Sequence, residues 1–186
     1  MRLFETEEEV RSVSTLKTPT GPVGVFPFLD VSGGDLLSSR EHIVLLHGVQ
    51  DPGNVGTIVR SAHAFGAGVA LSKGCADLYN PKTVRATMGS IFHAPVAREL
   101  DTVEFMREAR EAGFVTAAAV PGGGEAPSAV LGGRAVVVVG TEGSGLPPEV
   151  VQGCDARVSV PSRAASLNAA VAASILLYEA HMRVLG

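Results

Sequence analysis

The chain has 186 residues, 46% of them hydrophobic and 18% charged, with 22 Gly, 11 Pro and a formal net charge of −4, a profile of one soluble globular domain with enough length to bury a core. The longest apolar runs, such as Ala135 to Val139, fall far short of the roughly 20 residues a membrane helix needs, and the acidic start MRLFETEEEV does not resemble a secretory signal, so a cytoplasmic protein with no membrane partner is expected. Cys75 and Cys154 are too few for a disulfide framework, and without Cys-x-x-Cys or clustered His ligands no metal site is expected.

In chain order, residues 1–40 combine a Glu-rich start with STLKTPTGPVGVFPF, carrying Pro19, Pro22 and Pro27, and the polar DVSGGDLLSSR; no helical period fits, and an extended lead-in is expected. Residues 41–186 read as the folded domain. From His42 the pattern becomes apolar run, Gly-rich turn, helical stretch: HIVLLHG, VGTIVRSAHAFG, VALS, PKTVRATMGSIF. Strands written as continuous Val/Ile/Leu runs and alternating with helices predict an α/β fold, a mostly parallel sheet with helices on both faces. DTVEFMREAREA places Val103, Met106 and Ala109 on one side of a helix that Gly113 ends. FVTAAAV and AVVVVG read as strands, then TEGSGLPP as a turn, EVVQG as a short helical turn and ARVSV as a strand. A final helix is expected from about Ser166 to Arg183, slim because of Ala169, Ala170, Ala172 and Ala173.

Charge is uneven. Asn54 to Arg98 holds the cations Arg60, Lys73, Lys82, Arg85 and Arg98 against the single anion Asp77, so a polyanion is expected to dock on this stretch.

Three segments join an apolar strand to a turn of Gly and small polar residues, the place where open α/β sheets bind ligands. The first contains Asp51, Pro52, Asn54, Val55, Gly56, Arg60, Ala64, Phe65 and Gly66; the second Gly140, Glu142, Gly143, Gly145 and Leu146; the third Pro161, Ser166, Leu167, Asn168, Leu177, Tyr178 and Glu179. Singly, each reads as an ordinary strand-to-helix turn, since neither G-x-G-x-x-G before a long helix nor a P-loop Lys-Ser/Thr is present. Together and in this order they resemble the SpoU/TrmH family of ribose 2′-O-methyltransferases, of the SPOUT superfamily. The resemblance runs from about Ile43 to Glu179. It implies a deep trefoil knot at the carboxyl end, S-adenosylmethionine bound in that knot, a homodimer, and RNA as substrate. Ribosomal RNA is favoured over transfer RNA by SKGCADLYNPKTVRATMGSIFHAPV. TPTGPVGVFPF resembles the linker to an amino-terminal RNA-binding domain; nothing substantial precedes it, which fits either a chain lacking that domain or a short member of the family.

Residue by residue, the resemblance implies Asn54, Arg60, Glu142, Ser166 and Asn168 as the catalytic set. It implies Gly140, Glu142, Gly143, Leu146, Val160, Leu167 and Asn168 as the donor site, and Arg60, Lys73, Lys82 and Arg85 as RNA contacts. The chemistry suits these residue types, because transfer of a methyl from a sulfonium to a hydroxyl requires two atoms held in line, a proton removed and water excluded. The family assigns hydroxyl activation to Arg60, yet a guanidinium stays protonated; clamping phosphate and steadying the developing alkoxide is the chemically preferred role, with transient deprotonation as the alternative. Ser166 reads equally as a plain helix N-cap. Lys82 and Arg85 read equally as a solvated helix face. His47, His63 and His93 lack a carboxylate at a recognisable spacing and read as satisfied imidazoles rather than bases.

Two departures stand out. The loop SRAA between Pro161 and Ser166 is two residues shorter than usual in the family and lacks its Gly, which bears on the adenosine contacts; Arg163 there reads as solvated. Thr141 stands where Asn is common. The homodimer is expected to use the last helix, along an apolar edge at Leu176 and Leu177. Two other readings compete: a non-catalytic RNA-binding module of the same fold, and an unknotted flavodoxin-type protein with phosphate at its first turn.

Overall fold

Strand residues alternate between two helical layers, and this alternation is the frame on which the site is built. The computed structural model describes residues 2–14, 18 and 21–185; Pro19 lies outside them. The chain opens with β1 (Arg2–Phe4), α1 (Glu7–Val13) and β2 (Val23–Val25), with β1 and β2 antiparallel, followed by α2 (Gly33–Ser39). The lead-in is therefore not simply extended. Two capping boxes, Thr6 with Glu9 and Ser32 with Asp35, start the short helices, satisfying donors that would otherwise be orphaned. Leu36 and Leu37 of α2 are buried, so α2 belongs to a helical layer that covers the sheet.

The remaining elements are β3 (His42–Leu46), α3 (Pro52–Ala64), β4 (Gly68–Ser72), α4 (Pro81–Ala86), β5 (Val96–Leu100), α5 (Thr102–Glu111), β6 (Val115–Ala119), α6 (Pro127–Val130), β7 (Ala135–Val139), α7 (Pro148–Gly153), β8 (Ala156–Val158) and α8 (Ala169–Leu185). The six strands from β3 onward form one sheet in the order β5-β4-β3-β7-β6-β8, with every described pairing parallel. Counted within this sheet, the order is 3-2-1-5-4-6, because β7 rather than β6 lies beside β3. That departs from the 3-2-1-4-5-6 and 2-1-3-4-5 orders of doubly wound nucleotide-binding folds, and it removes the flavodoxin-type reading.

Val44, Leu46, Val137 and Val139 face α3 and α8, while Ile43, Leu45, Val136 and Val138 face α2, α5 and α7. All are essentially inaccessible, each stabilising the fold by roughly 1.5–3 kcal/mol relative to exposure. The expected helical stretch from Pro81 to Phe92 is broken. α4 stops at Ala86, Met88 and Gly89 adopt positive φ, and a single 3₁₀ turn covers Ser90–Phe92. Leu176 and Leu177 are buried in the core against the sheet, so they form no exposed edge; α8 instead exposes Val171, Tyr178 and Met182. Among the described residues no helix is long and apolar enough to cross a membrane.

Candidate active site

Three loops at the carboxyl ends of β3, β7 and β8 converge. After β3, Asp51 caps α3 by accepting from the Asn54 amide N–H at 2.8 Å, and Pro52 occupies the first turn, where its missing N–H costs nothing. This fixes Asn54 in the first turn of α3.

After β7 the chain folds back on itself. Thr141 and Gly145 exchange backbone hydrogen bonds at 2.9 and 3.3 Å, and Thr141 Oγ1 lies 2.8 Å from Ser144 Oγ. Gly145 has φ +68°, and a Cβ on Gly140 would come within 2.4 Å of the Gly145 carbonyl. Only glycine permits this approach, and the resulting turn carries Glu142. Thr141 thus has a clear task here, closing the turn through its hydroxyl.

After β8 the loop runs to Asn168, whose Oδ1 accepts from the N–H groups of Ala170 (3.0 Å) and Val171 (3.1 Å). Asn168, and not Ser166, is the cap, and α8 begins at Ala169 rather than near Ser166. The same amide turns its Nδ2 to Glu142 Oε1 and to Asn54 Oδ1, the latter at 3.1 Å. Asn54 Nδ2 donates to Glu142 Oε1 at 2.9 Å, and the Ala169 N–H adds a fourth contact at 3.3 Å. Asn54, Glu142 and Asn168 are therefore one hydrogen-bonded unit. Every bond to the Glu142 carboxylate falls on Oε1, and Oε2 has no partner among the described residues.

Glu142 also lies on the rim of a cleft of about 330 Å³ bounded by the 140–146 turn, the 160–169 loop and the end of β6. Gly140, Gly143, Leu146, Val160, Ser166 and Leu167 line it, and Asn168 sits beside it through Glu142. A third wall, Ala119 to Pro121, was not anticipated, because no motif marks the end of β6. Among the described residues Glu142 is the one charged side chain lining the cleft. Apolar walls, backbone groups and a lone carboxylate suit a ligand with a flat apolar part and a positive centre.

Arg60 is not brought to this unit within one chain. It lines a separate groove between α3 and α8 with Phe65, Ser174 and Tyr178, and it has no hydrogen-bond or ion-pair partner among the described residues. Lys73, Lys82 and Arg85 are exposed and likewise without side-chain partners among the described residues, whereas Arg98 is paired with Asp30. His47 Nδ1 lies 2.8 Å from Thr102 Oγ1, and His63 Nδ1 lies 3.1 Å from Ser90 Oγ with its ring stacked on His93. His47 is half-buried and His63 and His93 are exposed, and none has a carboxylate partner among the described residues. No group of three or more His, Cys, Asp or Glu able to hold a metal ion occurs among the described residues.

A six-stranded parallel sheet flanked by helices, with Glu142 held by two asparagines at the mouth of a cleft, defines an α/β protein with a built ligand site at its strand ends. The family model described as "SpoU rRNA Methylase family" matches residues 41–178, and the chain belongs to that family. It is 37% identical over 151 residues to the 23S rRNA (guanosine(2553)-2′-O)-methyltransferase RlmP of Bacillus subtilis, covering 79% of this chain and 60% of that protein. To the 23S rRNA (uridine(2479)-2′-O)-methyltransferase of Streptomyces viridochromogenes it is 36% identical over 146 residues, covering 74% of this chain and 51% of that one. The chain thus spans between half and two thirds of these relatives. The crystal structure of AdoMet-bound rRNA methyltransferase from Sinorhizobium meliloti superposes with a TM-score of 0.85 at 35% identity, over 97% of this chain and 71% of that one.

Proposed function

We propose that the chain is the catalytic part of an S-adenosylmethionine-dependent enzyme that methylates a ribose 2′-hydroxyl in ribosomal RNA. The observation that carries this reading is the convergence of Asn54 and Asn168 on Glu142 at the rim of the cleft. Bound in the cleft, S-adenosylmethionine supplies a methyl group on a positively charged sulfur. Glu142 offers that charge its only counter-ion among the lining residues described. Leu146, Val160 and Leu167 wall off water, and the glycines of the turn let backbone groups approach closely. The unpartnered Glu142 Oε2 is the acceptor for the ribose hydroxyl, and Asn54 orients the sugar.

The homodimer belongs to the same reading. Val171, Tyr178 and Met182 expose an apolar strip on α8, beside the groove that holds Arg60. Pairing along this strip would carry Arg60 of one copy toward the cleft of the other, where a protonated guanidinium steadies the developing alkoxide. The trefoil knot is likewise inferred: α6 and the bridge between Glu125 and Val158 lie against β8, and α8 returns beneath β3 and β7. A cytoplasmic enzyme that works with an amino-terminal RNA-binding domain completes the reading.

Calorimetry with S-adenosylmethionine and mapping of 2′-O-methyl sites in ribosomal RNA from cells with and without the gene test it. Loss of one ribosomal site is expected, and loss of a transfer-RNA site instead would redirect the substrate. Mixing equal amounts of Arg60→Ala and Glu142→Gln proteins should restore about a quarter of wild-type activity if each site draws on two chains; no recovery would remove the shared site.

A further inference from the structure

Three of the seven phenylalanines are exposed: Phe28 (69%), Phe92 (59%) and Phe26 (49%). Phe26 and Phe92 meet edge to face at 6.1 Å between ring centroids. Phe28 is held from one side, with Tyr79 at 4.6 Å and the Arg98 guanidinium at 4.8 Å from its ring centre. Asp30 locks that support, accepting from both Arg98 Nε and the Tyr79 hydroxyl, and the Leu29 N–H donates to Tyr79 Oη at 2.6 Å. A ring so fixed, yet two-thirds open to solvent, gains nothing for the fold by its exposure. Its ordering cost is already met before any ligand arrives.

The surroundings choose the ligand. Along the chain Tyr79 falls between Lys73 and Lys82, both exposed and without side-chain partners among the described residues, with Arg85 one turn further along α4. The loop after β4 is tied to the loop that leads into Asn54 by the Ala76 N–H donating to the Val49 carbonyl at 2.9 Å, so it leaves the sheet at the same carboxyl ends of the strands as the Asn54 loop. Flat exposed aromatics among free cations match unpaired bases on a phosphate backbone. Asp77 sits in the same loop, accepting from the Tyr79 N–H at 3.0 Å, but Lys73, Lys82 and Arg85 outnumber it, so the net charge of the stretch favours a polyanion.

We propose that Phe28 is a preformed stacking platform for an unpaired base of RNA, with Lys73 and Lys82 on the flanking phosphates. The inference rests on the RNA methyltransferase reading for its substrate, but it is tested separately. Full-length chain is titrated at low salt with a single-stranded oligoribonucleotide carrying 2-aminopurine, whose fluorescence reports stacking. Phe28→Ala and Phe28→Leu should weaken binding about 5- to 100-fold and abolish the fluorescence change, while Phe28→Trp keeps both. Lys73→Gln should weaken binding and flatten its salt dependence without removing the stacking signal. Donor affinity should stay at wild-type values in all four.

Wild-type protein that gives no 2-aminopurine response at saturating oligonucleotide overturns the platform. So does a Phe28→Leu variant that binds as tightly as wild type, since an apolar contact would then suffice, and so does a change of sedimentation in Phe28→Ala, which would assign the ring to a protein interface. A wild type that stacks RNA through Phe28 yet binds no donor upholds the platform and removes the methyltransferase reading.

Discussion

Asn54 and Asn168 stand 114 residues apart in the chain and touch at 3.1 Å, amide to amide, where α3 and α8 begin. The two helices run side by side in the same direction, joined again further along by the Ser61 and Ser174 hydroxyls at 2.7 Å. Both amino-terminal ends therefore point at the Glu142 carboxylate, and aligned helix dipoles favour negative charge there. Site geometry and helix packing are consequently one structure, so that the pair of helices cannot shift without moving Asn54, Glu142 and Asn168.

Asn168 has two tasks that substitution separates. Its Oδ1 caps α8 and its Nδ2 grips Glu142. Asp caps as well as Asn, so Asn168→Asp should melt close to wild type, but it replaces a donor with a second carboxylate, and single-turnover methylation should fall at least about 100-fold. Asn168→Ala loses the cap too, at about 1 kcal/mol of stability. Thermal melts alongside rates check the separation; equal destabilisation by Asp and Ala would refute it.

Glu142→Gln preserves shape and removes charge. S-adenosylmethionine carries a positive sulfur and its demethylated product does not, so the carboxylate should favour the donor over the product. The variant should bind the product as wild type does and the donor several-fold more weakly, the modest size reflecting an exposed carboxylate in high dielectric. Parallel calorimetric titrations decide it, and equal losses for both ligands would show that Glu142 shapes the turn rather than the charge.

What could be read from the sequence followed the range of the signal. β3, β4 and β7 announce themselves because both faces are buried, and Val/Ile/Leu runs result. β5 does not: VAREL buries only Val96 and Ala97 fully, Glu99 takes φ +59°, and the register against β4 shifts. α2 hid behind two glycines, though Ser32 and Asp35 spelled its capping box. The three motifs located Asn54, Glu142 and Asn168, but their meeting depends on β7 lying beside β3, a pairing with no local signature. For the same reason the wall from Ala119 to Pro121 and the distance of Arg60 from the cleft emerge only in three dimensions.

His42 begins β3 and is buried, and burial is the main cause pushing its imidazole pKa below the ordinary 6.5, with Glu41 partly opposing. As pH falls through about 6.5 the unfolded chain gains a proton that the folded chain resists, so this contribution is complete above that value and is lost below it, with a slope of up to about 1.4 kcal/mol per pH unit. Urea melts at pH 7.5 and 5.5 should show the loss, and His42→Gln should lessen it. An unchanged difference between the two pH values would place the effect elsewhere.

For Arg60, charge and geometry point the same way. Its guanidinium has no carboxylate to share among the described residues and lies outside the cleft of its own chain, which suits a group that meets phosphate and a developing alkoxide rather than one that removes a proton. A guanidinium stays protonated across the working range. Arg60→Lys should then keep a point charge without the fork, retaining weak activity, while Arg60→Ala should lose nearly all of it, with donor affinity unaltered in both. Single-turnover rates should show no rise from Arg60 between about pH 7 and 9.5, and the Lys variant should follow the same profile at a lower level. A base would behave otherwise, its rate climbing with pH and the climb moving to the range of an amine in Arg60→Lys. The measurement uses the chain joined to an RNA-binding domain, so that substrate capture does not mask the chemical step.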